Sequence, residues 1–243
     1  MMEGKKMVGH TGFGYIETID RPCAELINNL TMMDSANVTD AQNRTGAMDR
    51  GIKPLDQGKR IFGTAITVEL PLGDNLMLYK ALDLAQPGDV LVVYTNGNFN
   101  KAIWGELMTK SAMLLKVGGL VVDGLIRDRQ ANRNHDFPIF CRGTTSVSVE
   151  KNGPGFVNGE IPCGGTVVRP GDIIIGDDDG VVVVKKENLS MVIENLKQIE
   201  QREITRSQEI ANGQALPKWF AQLMAEKGLL PGMNREDTRI GKK

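Results

Sequence analysis

A short apolar run that ends in a charged pair constrains this chain more than any other feature. Leu120 to Val122 follows Gly118-Gly119 and leads through Asp123-Gly124 to Arg127-Asp128. β-branched residues bounded by glycines are typical of a strand inside a covered sheet. Arginine stays protonated and binds carboxylates or carbonyls through its forked N–H groups, and aspartate offers hard oxygens to a divalent cation. The end of this strand therefore predicts a site for an oxyacid and a metal ion.

A second stretch, Gly105 to Met108, stands where a helix is expected to begin. The N–H groups at a helix N-terminus are free and attract carboxylates, so this stretch is suited to holding a 2-oxo acid. Glu106 either reaches water on a metal ion or acts as a favourable acidic residue in the first helical turn. The residue types leave both roles open.

The charge balance and the cysteines exclude several classes of protein. The 29 Lys and Arg residues nearly balance the 30 Asp and Glu residues, so no net field favours nucleic acid or an anionic membrane. Cys23, Cys141 and Cys163 are far apart and show no CxxC spacing, which argues against disulfides and against a thiolate metal site. We therefore expect a protein of the reducing cytoplasm.

Several further classes are disfavoured by what the sequence lacks. No stretch approaches the roughly 20 apolar residues of a membrane span, and no apolar segment follows the N-terminal lysines, so we expect neither insertion nor export. His10 and His135 are the two histidines, and neither stands near a Ser or Cys nucleophile motif. Triad chemistry and a zinc site are therefore not expected.

Hydrophobic periodicity predicts an α/β fold with a partly parallel sheet. Helical spacing is found in 20–33, 36–42, 75–85 and within 100–117, and strand patterns in 60–70, 89–94 and 120–122. Short β segments follow at 139–141, 146–149, 166–168, 173–175 and 181–184. Residues 1–190 are predicted to form one domain, because no linker interrupts them. Residues 191–243 are predicted to be a helical extension, broken at Gly213 and Pro217, that packs on a neighbouring subunit.

Two motifs resemble ligand-binding loops but are better explained otherwise. Gly176 to Gly180 contains three aspartates, but it is too short for the twelve-residue calcium loop of an EF-hand. A tight acidic turn between two strands is the better interpretation. Gly9 to Gly14 is rich in glycine but follows no predicted strand, so a nucleotide-binding loop is not supported.

Several motifs together resemble the family of the regulator of ribonuclease E activity A and the class II pyruvate aldolases. The resemblance covers roughly residues 35–184, and the combination is more specific than any one motif. Its members include 4-hydroxy-4-methyl-2-oxoglutarate and 4-carboxy-4-hydroxy-2-oxoadipate aldolases, which share oxaloacetate decarboxylation. The motifs are Gly46-Ala47-Met48-Asp49, Gly63 to Val68, Gly73-Asp74-Asn75, Pro87 to Val93, Gly105-Glu106, Val122-Asp123-Gly124, Arg127-Asp128, Arg169-Pro170-Gly171-Asp172 and Asp177 to Val181.

The resemblance implies a fold, an assembly and a set of site residues. The fold is an α/β swivelling β/β/α core, an αββα sandwich with N-terminal helices and a long C-terminal helical extension, assembled as trimers or hexamers with active sites between subunits. Asp128 would bind a divalent metal, Mg²⁺ or alternatively Mn²⁺. Arg127 would contact the substrate's keto oxygen and stabilise an enolate. The backbone of Gly105, Glu106, Leu107 and Met108 would hold the carboxylate of the 2-oxo acid, and Glu106 would contact water on the metal.

An acidic residue from the C-terminal helix of the neighbouring subunit completes the site in aldolase members. Glu203 is expected in that place, with Glu200 as a rival and a solvated helical face as the alternative for both. This chain has Gly213-Gln214 where such aldolases often have Gly-Glu, which leaves the particular substrate open.

Three functions remain from the sequence. The first is a metal-dependent lyase that cleaves 4-hydroxy-2-oxo acids or decarboxylates oxaloacetate to pyruvate. The second is a protein-binding regulator of ribonuclease E type, which needs no metal. The third is a methyltransferase, a name that many relatives carry, although no convincing loop for its cofactor is present. Arg127, Asp128 and Glu106 as a set favour the lyase.

Overall fold

A computed structural model describes residues 7–28, 30–31, 33–70 and 74–229. The chain divides into two compact units, Met1–Leu196 and Lys197–Lys243. The strands are β1 Met7–His10, β2 Phe13–Ile16, β3 Lys53–Pro54, β4 Ile61–Glu69, β5 Val90–Tyr94, β6 Ala102–Trp104, β7 Gly119–Ile126, β8 Ile139–Thr144, β9 Gly155–Val157, β10 Ile161–Cys163, β11 Thr166–Val168, β12 Ile173–Asp177 and β13 Gly180–Val184. The α-helices are α1 Ala24–Asn28, α2 Ser35–Ala41, α3 Leu76–Leu84, α4 Glu106–Leu114, α5 Arg129–Arg133, α6 Leu189–Ala211 and α7 Lys218–Glu226.

The centre of the first unit is a parallel arrangement of β4, β5, β7 and β8. Ile66, Leu91, Leu120 and Ile139 stand side by side across these four strands. Helix α3 connects β4 to β5, α4 lies between β5 and β7, and α5 lies between β7 and β8, as parallel neighbours require. The predicted alternation of helix and strand is confirmed here. The carboxyl ends of β7 and β8 consequently share one edge of the sheet.

Both faces of the central strands are covered, which explains their continuous apolar sequences. Leu91 and Leu120 belong to an apolar cluster that includes Leu78 of α3 and Met108 of α4. Residues one position further along the strands point to the opposite face, where another cluster includes side chains of the β10–β11 hairpin and of β12 and β13. Successive residues of β7 are thus buried on alternating sides, as the opening sequence feature predicted.

The two glycine-containing motifs form hairpin turns. His10 pairs with Phe13, so the Gly9 to Gly14 segment is the β1–β2 hairpin. Asp177 pairs with Gly180, which confirms the predicted tight acidic turn between β12 and β13. The Asp177 carboxylate accepts hydrogen bonds from the N–H and the Oγ–H of Ser35, at 2.7 and 2.6 Å, at the start of α2. The turn therefore also fixes an N-terminal helix onto the sheet.

One predicted strand is wrong, and several short elements were not predicted. Residues 146–149 form no strand, because Ser148 makes a single bridge to Ala102 and Val147 is exposed. Alternating valines have β propensity, but a strand also needs a partner along its length. Strand β6 and helix α5 have three and five residues, too few to show a periodic pattern.

The second unit contains the end of α6 and the whole of α7. Gly213 has φ +88° just after α6, and Pro217 precedes the first turn of α7, so the predicted break is confirmed. Glu209 forms ion pairs with Arg206 at 3.0 Å and with Lys218 at 3.4 Å. The packing of this extension on a neighbouring subunit stays a prediction. Among the described residues, no helix combines the length and the apolar character needed to cross a membrane.

Candidate active site

A cleft of about 240 Å³ lies where β6 and β7 end and α4 begins. It brings together most of the residues predicted for the site, because β6 and β7 pair in parallel and Arg127 N–H donates to the Trp104 carbonyl at 2.9 Å. The predicted site residues that line the cleft are Gly105, Leu107, Met108, Arg127 and Asp128. The pairing of β6 with β7 therefore brings the N-terminus of α4 next to Arg127 and Asp128.

Asp128 is held in an uncommon backbone conformation beside Arg127. Its φ of 57° and ψ of 42° are left-handed, which costs a non-glycine residue about 1–3 kcal/mol, although Asp is among the residues that tolerate it best. Its Oδ2 accepts the N–H of Glu106 at 3.1 Å and lies 3.5 Å from Arg127 Nε. The side chains of Arg127 and Asp128 are 45% and 42% exposed. Within the described part of the chain, Oδ1 of Asp128 accepts no hydrogen bond, so it is available to a ligand.

Gly105 is required by the closeness of Asp128. A Cβ atom at position 105 would lie 2.6 Å from Asp128 Oδ2 and 3.1 Å from Arg127 Nε. The backbone there is extended, with φ −152°, so the requirement is for space and not for an unusual conformation. A side chain at this position would force the Asp128 carboxylate away from the start of α4.

The carboxylate of Glu106 is directed to the side chains of Lys110 and His135. Its Oε1 lies 2.7 Å from Lys110 Nζ and 3.2 Å from His135 Nε2. The hydrogen bond from Lys110, followed by that from His135, holds the pKa of the Glu106 carboxyl below its usual value. Glu106 is thus ionised at neutral pH. Its backbone N–H contacts Asp128, whereas its side chain is not part of the cleft lining.

Asp123, which precedes the charged pair in the sequence motif, has a structural role. Its carboxylate binds Arg142 through Oδ1 and accepts the N–H of Gly164 at 2.7 Å through Oδ2. Arg142 in turn binds Asp49 at 2.6 Å. Asp123 is buried and is not in the cleft. It joins the β10–β11 turn to the central sheet.

Sequence reasoning missed four polar side chains that line the same cleft: Asn75, Tyr79, Ser148 and Lys151. Asn75 belongs to the motif Gly73-Asp74-Asn75, but the sequence of that motif did not indicate a role for Asn75 in the site. Its Nδ2–H donates to the Ile103 carbonyl at 3.0 Å, and its buried Oδ1 has no hydrogen-bond donor among the residues that the structure describes. Lys151 lies in a loop after β8, where no periodic signal exists.

The remaining predicted residue, Glu203, lies on α6 within the second unit and is exposed. Its predicted role depends on another copy of the chain. In the described ranges, no group of three or more His, Cys, Asp or Glu side chains is arranged to hold a metal ion. Asp128 is the acidic residue among the described residues that line the cleft, and the backbone N–H of Glu106 binds it.

Comparisons with known proteins agree with this architecture. A protein of Halalkalibacterium halodurans named "Putative 4-hydroxy-4-methyl-2-oxoglutarate aldolase" is 38% identical over 188 residues, which are 77% of this chain and 90% of that protein. The crystal structure of Streptomyces coelicolor RraAS2, described as an unusual member of the RNase ES inhibitor RraA protein family, is 30% identical with a TM-score of 0.70. It matches 78% of this chain and 99% of its own.

A protein from Pseudomonas syringae is similar in structure as well, with a TM-score of 0.71 and 26% identity over 80% of this chain and 96% of its own. These likenesses confirm the expected fold class, an α/β RraA-like core with N-terminal helices and a long C-terminal helix. The family model described as RraA-like, Aldolase/RraA, matches residues 35–183. The chain therefore belongs to the RraA-like family of aldolase and RraA proteins.

Proposed function

We propose that this protein is a divalent-metal-dependent lyase that releases pyruvate from 4-hydroxy-2-oxo acids, from oxaloacetate or from both. The observation that carries the proposal is the convergence of Arg127, Asp128 and the N-terminus of α4 on one cleft. Such a set supplies a cation, a hard carboxylate ligand and a backbone N–H of the first helical turn to a single small molecule. The similarity to a protein named as an aldolase supports the same chemistry.

The start of α4 is suited to the carboxylate of the 2-oxo acid. N–H groups of a first helical turn have no acceptor within the helix, and the helix dipole favours an anion there. The Glu106 N–H binds Asp128, and the Met108 N–H binds the Gly105 carbonyl at 3.1 Å. Leu107 therefore supplies the N–H of this turn that we assign to the substrate carboxylate.

The surroundings of Asp128 fit a divalent cation. One carboxylate oxygen is engaged by the protein, and the other, Oδ1, is available on a partly exposed side chain. Mg²⁺ is commonly bound through one or two carboxylates while it keeps several water molecules, so a single protein ligand is an adequate set for Mg²⁺ or Mn²⁺. The ion, when bound, would supply positive charge that polarises the 2-oxo group of the substrate.

We assign to Arg127 the stabilisation of the charge that develops during bond cleavage. In the retro-aldol reaction the 4-hydroxyl loses its proton, its oxygen forms a double bond to C4, and the C3–C4 bond breaks, so that the C4 part leaves as a carbonyl compound. The electron pair of that bond passes toward the 2-oxo oxygen and leaves pyruvate as its enolate, which then takes up a proton at C3. Loss of CO₂ from oxaloacetate gives the same enolate. A fixed guanidinium beside the forming oxyanion lowers the barrier to either step.

Two carboxylates are candidates for the acceptor of the hydroxyl proton. Glu106 belongs to the same subunit, and its backbone adjoins Asp128, although its Oε1 is held by Lys110 and His135. We assign Glu203, from a neighbouring copy of the chain, as the other. Exposed apolar side chains of the second unit, which include Ile204, Ile210 and Trp219, support the packing of this helical extension against another copy.

A second cation in the cleft supports a substrate with two carboxylates. Lys151 lines the cleft together with Arg127, and a dianionic 2-oxo acid would place one carboxylate at α4 and the other near the Lys151 ammonium. This feature supports a 4-hydroxy-2-oxo acid with at least two carboxylates, of the 4-hydroxy-4-methyl-2-oxoglutarate or 4-carboxy-4-hydroxy-2-oxoadipate type.

The direct test is pyruvate release coupled to lactate dehydrogenase, over oxaloacetate and several branched 4-hydroxy-2-oxo acids. We expect turnover with Mg²⁺ or Mn²⁺ and loss of turnover in EDTA, with recovery when the metal is added back. Full activity in the chelator would contradict the metal-dependent lyase.

The inter-subunit part of the proposal has its own test. Inactive Arg127→Ala and Glu203→Gln proteins are mixed under conditions that exchange subunits. If each site combines Arg127 of one copy with Glu203 of another, random mixing restores about a quarter of the sites, and with them the activity. Absence of any recovery in verified mixed oligomers would exclude this use of Glu203.

A non-catalytic regulator of ribonuclease E type is the alternative function. It is favoured by the similarity to the Streptomyces coelicolor protein described within an RNase ES inhibitor family. A protein-binding surface has no need for Arg127 and Asp128 as a pair beside a helix N-terminus. Recovery of a ribonuclease in a pull-down, together with no pyruvate release from any tested acid, would reverse the choice.

A further inference from the structure

We infer that a buried chain of hydrogen bonds, from Trp104 through Thr109 to Asn132, holds the backbone of Arg127 and Asp128 in the conformation that the metal ligand needs. Thr109 and Asn132 are positioning residues, since they act through Asp128 and do not line the cleft. The inference rests on the proposed function, because it takes Asp128 as the metal ligand.

The chain of contacts is continuous and short. Trp104 Nε1–H donates to Thr109 Oγ1 at 2.8 Å, and the Thr109 hydroxyl donates to Asn132 Oδ1 at 2.6 Å. Asn132 Nδ2 then donates to the carbonyls of Arg127 and Asp128 at 2.8 and 3.1 Å. Trp104, Thr109 and Asn132 are buried, so water does not compete for these hydrogen bonds.

The available donors and acceptors allow these hydrogen bonds to run in one direction, from Trp104 through Thr109 to Asn132. The indole N–H of Trp104 can only donate, so Thr109 must accept from it and has its single hydroxyl proton left for Asn132. Both protons of the Asn132 amide then point to the two main-chain carbonyls. A reversed amide would set its oxygen against those carbonyl oxygens, so the tryptophan indirectly fixes the orientation of Asn132.

The series of hydrogen bonds ends at Asp128, the residue of the site with a left-handed backbone conformation. Asn132 also donates its backbone N–H to the Asp128 carbonyl at 2.9 Å, so side chain and main chain of one residue bind the same oxygen. An unfavourable conformation persists where its surroundings over-determine it. With the backbone at Asp128 fixed in this way, Oδ2 meets the Glu106 N–H and Oδ1 is left for a cation.

Thr109 offers a matched pair of variants for the test. Thr109→Ser and Thr109→Ala both lose the methyl group and differ only in the hydroxyl. Mn²⁺ affinity is measured by electron paramagnetic resonance titration of the free ion, beside kcat and melting temperature. Groups that orient metal ligands typically change metal affinity or activity by about 10–100-fold when removed. We therefore expect Thr109→Ala to bind Mn²⁺ about 10-fold more weakly than Thr109→Ser, which stays within about threefold of the wild type.

Controls separate positioning from general destabilisation. Ile174→Val removes a buried methyl group in the other apolar cluster and should lower the melting temperature without changing Mn²⁺ affinity. Thr109→Val, which keeps the volume but not the hydroxyl, provides a second variant should Thr109→Ala not fold, and it should show the same weakening.

The outcomes distinguish this inference from the proposed function. If Thr109→Ala, or Thr109→Val in its place, has the same Mn²⁺ affinity and kcat as Thr109→Ser, the inference is overturned. The proposed function would stay intact in that case, provided that the wild type binds Mn²⁺ through Asp128. A wild type that binds no Mn²⁺, or an Asp128→Asn protein that binds it equally well, would overturn the metal assignment and the inference with it.

Discussion

The backbone N–H of Glu106 donates a 3.1 Å hydrogen bond to Oδ2 of Asp128, across 22 positions of sequence. This bond joins the start of α4 to the end of β7. It therefore holds the stretch Gly105 to Met108, which we assign to the substrate carboxylate, next to Arg127 and Asp128. It also leaves Oδ1 of Asp128 as the oxygen for a cation. The chemistry proposed for the cleft depends on this contact being kept.

Gly105→Ala should reduce lyase activity by about 10–100-fold, because the added methyl group would meet Asp128 Oδ2 at 2.6 Å and displace the carboxylate. The protein should still fold, since the backbone at Gly105 is extended and suits alanine. Steady-state kinetics and a melting curve measure the two effects. Leu114→Ala on the same helix is the control, because that side chain is 84% exposed and should leave activity unchanged. Wild-type kinetics in Gly105→Ala would refute the steric argument.

Lys151→Met should raise the KM for dicarboxylic substrates about 10-fold with a much smaller change in kcat, because it removes binding energy for the distal carboxylate. A 4-hydroxy-2-oxo acid without the second carboxylate should show little change. Lys151→Arg keeps the charge and should stay close to the wild type. An equal loss toward both classes of substrate would show that Lys151 does not select for a second carboxylate.

Arg142→Met should destabilise the protein by about 3 kcal/mol, because it leaves the buried carboxylate of Asp123 without its charged partner. Urea unfolding at neutral pH gives the free energy of unfolding. Arg169→Met is the comparison, since its ion pairs with Glu160 and Glu187 are exposed and its loss should be much smaller. Similar losses in the two variants would contradict the structural role assigned to Asp123.

Ser35→Ala should destabilise the protein by about 1 kcal/mol at neutral pH, and the loss should shrink in acid. Burial alone would raise the pKa of Asp177, but hydrogen bonds from the Ser35 side chain and backbone, and from the Asp179 N–H, outweigh it and leave that pKa below the usual 3.8. A carboxylate with a lowered folded-state pKa stabilises the fold above its unfolded pKa, and that contribution disappears as pH falls through the folded value. Unfolding measured at pH 7 and at a pH below 3.8 should therefore show a larger and a smaller difference from the wild type.

Ser111→Ala is the matched control for this pH dependence. Its hydroxyl donates to the Leu107 carbonyl at 3.0 Å and to no carboxylate. Any effect of that change should be the same at both pH values. A pH-independent loss in Ser35→Ala as well would mean that the hydrogen bonds from Ser35 do not lower the pKa of Asp177.

The central sheet was predictable because burial on two faces leaves a strong apolar signal. β5 and β7 have such continuous runs, and glycine or proline stands before each of them. Arg127 and Asp128 were found for the same reason, since charged residues at the end of a buried strand are conspicuous. The local sequence was thus enough to predict these strands and the site residues Arg127 and Asp128.

Other parts of the site depend on contacts between distant segments. Asn75 and Lys151 reach the cleft from loops, and their loops are joined by the Asn152 N–H, which donates to Asp74 Oδ2 at 2.5 Å. His135 returns to Glu106 after a five-residue helix that has no periodic pattern of its own. The residue types at these positions carry no sequence signal for a site, because their contacts are with segments that are distant in the sequence.

The central claim is that Asp128 and Arg127 together support metal-dependent release of pyruvate. The most direct measurement is the rate of pyruvate release by Asp128→Asn, which keeps the shape of the side chain but removes its charge, with and without saturating Mn²⁺. We predict a loss of at least about 100-fold that added Mn²⁺ does not restore, in a protein with wild-type melting behaviour. A folded Asp128→Asn protein that releases pyruvate at the wild-type rate would contradict the account.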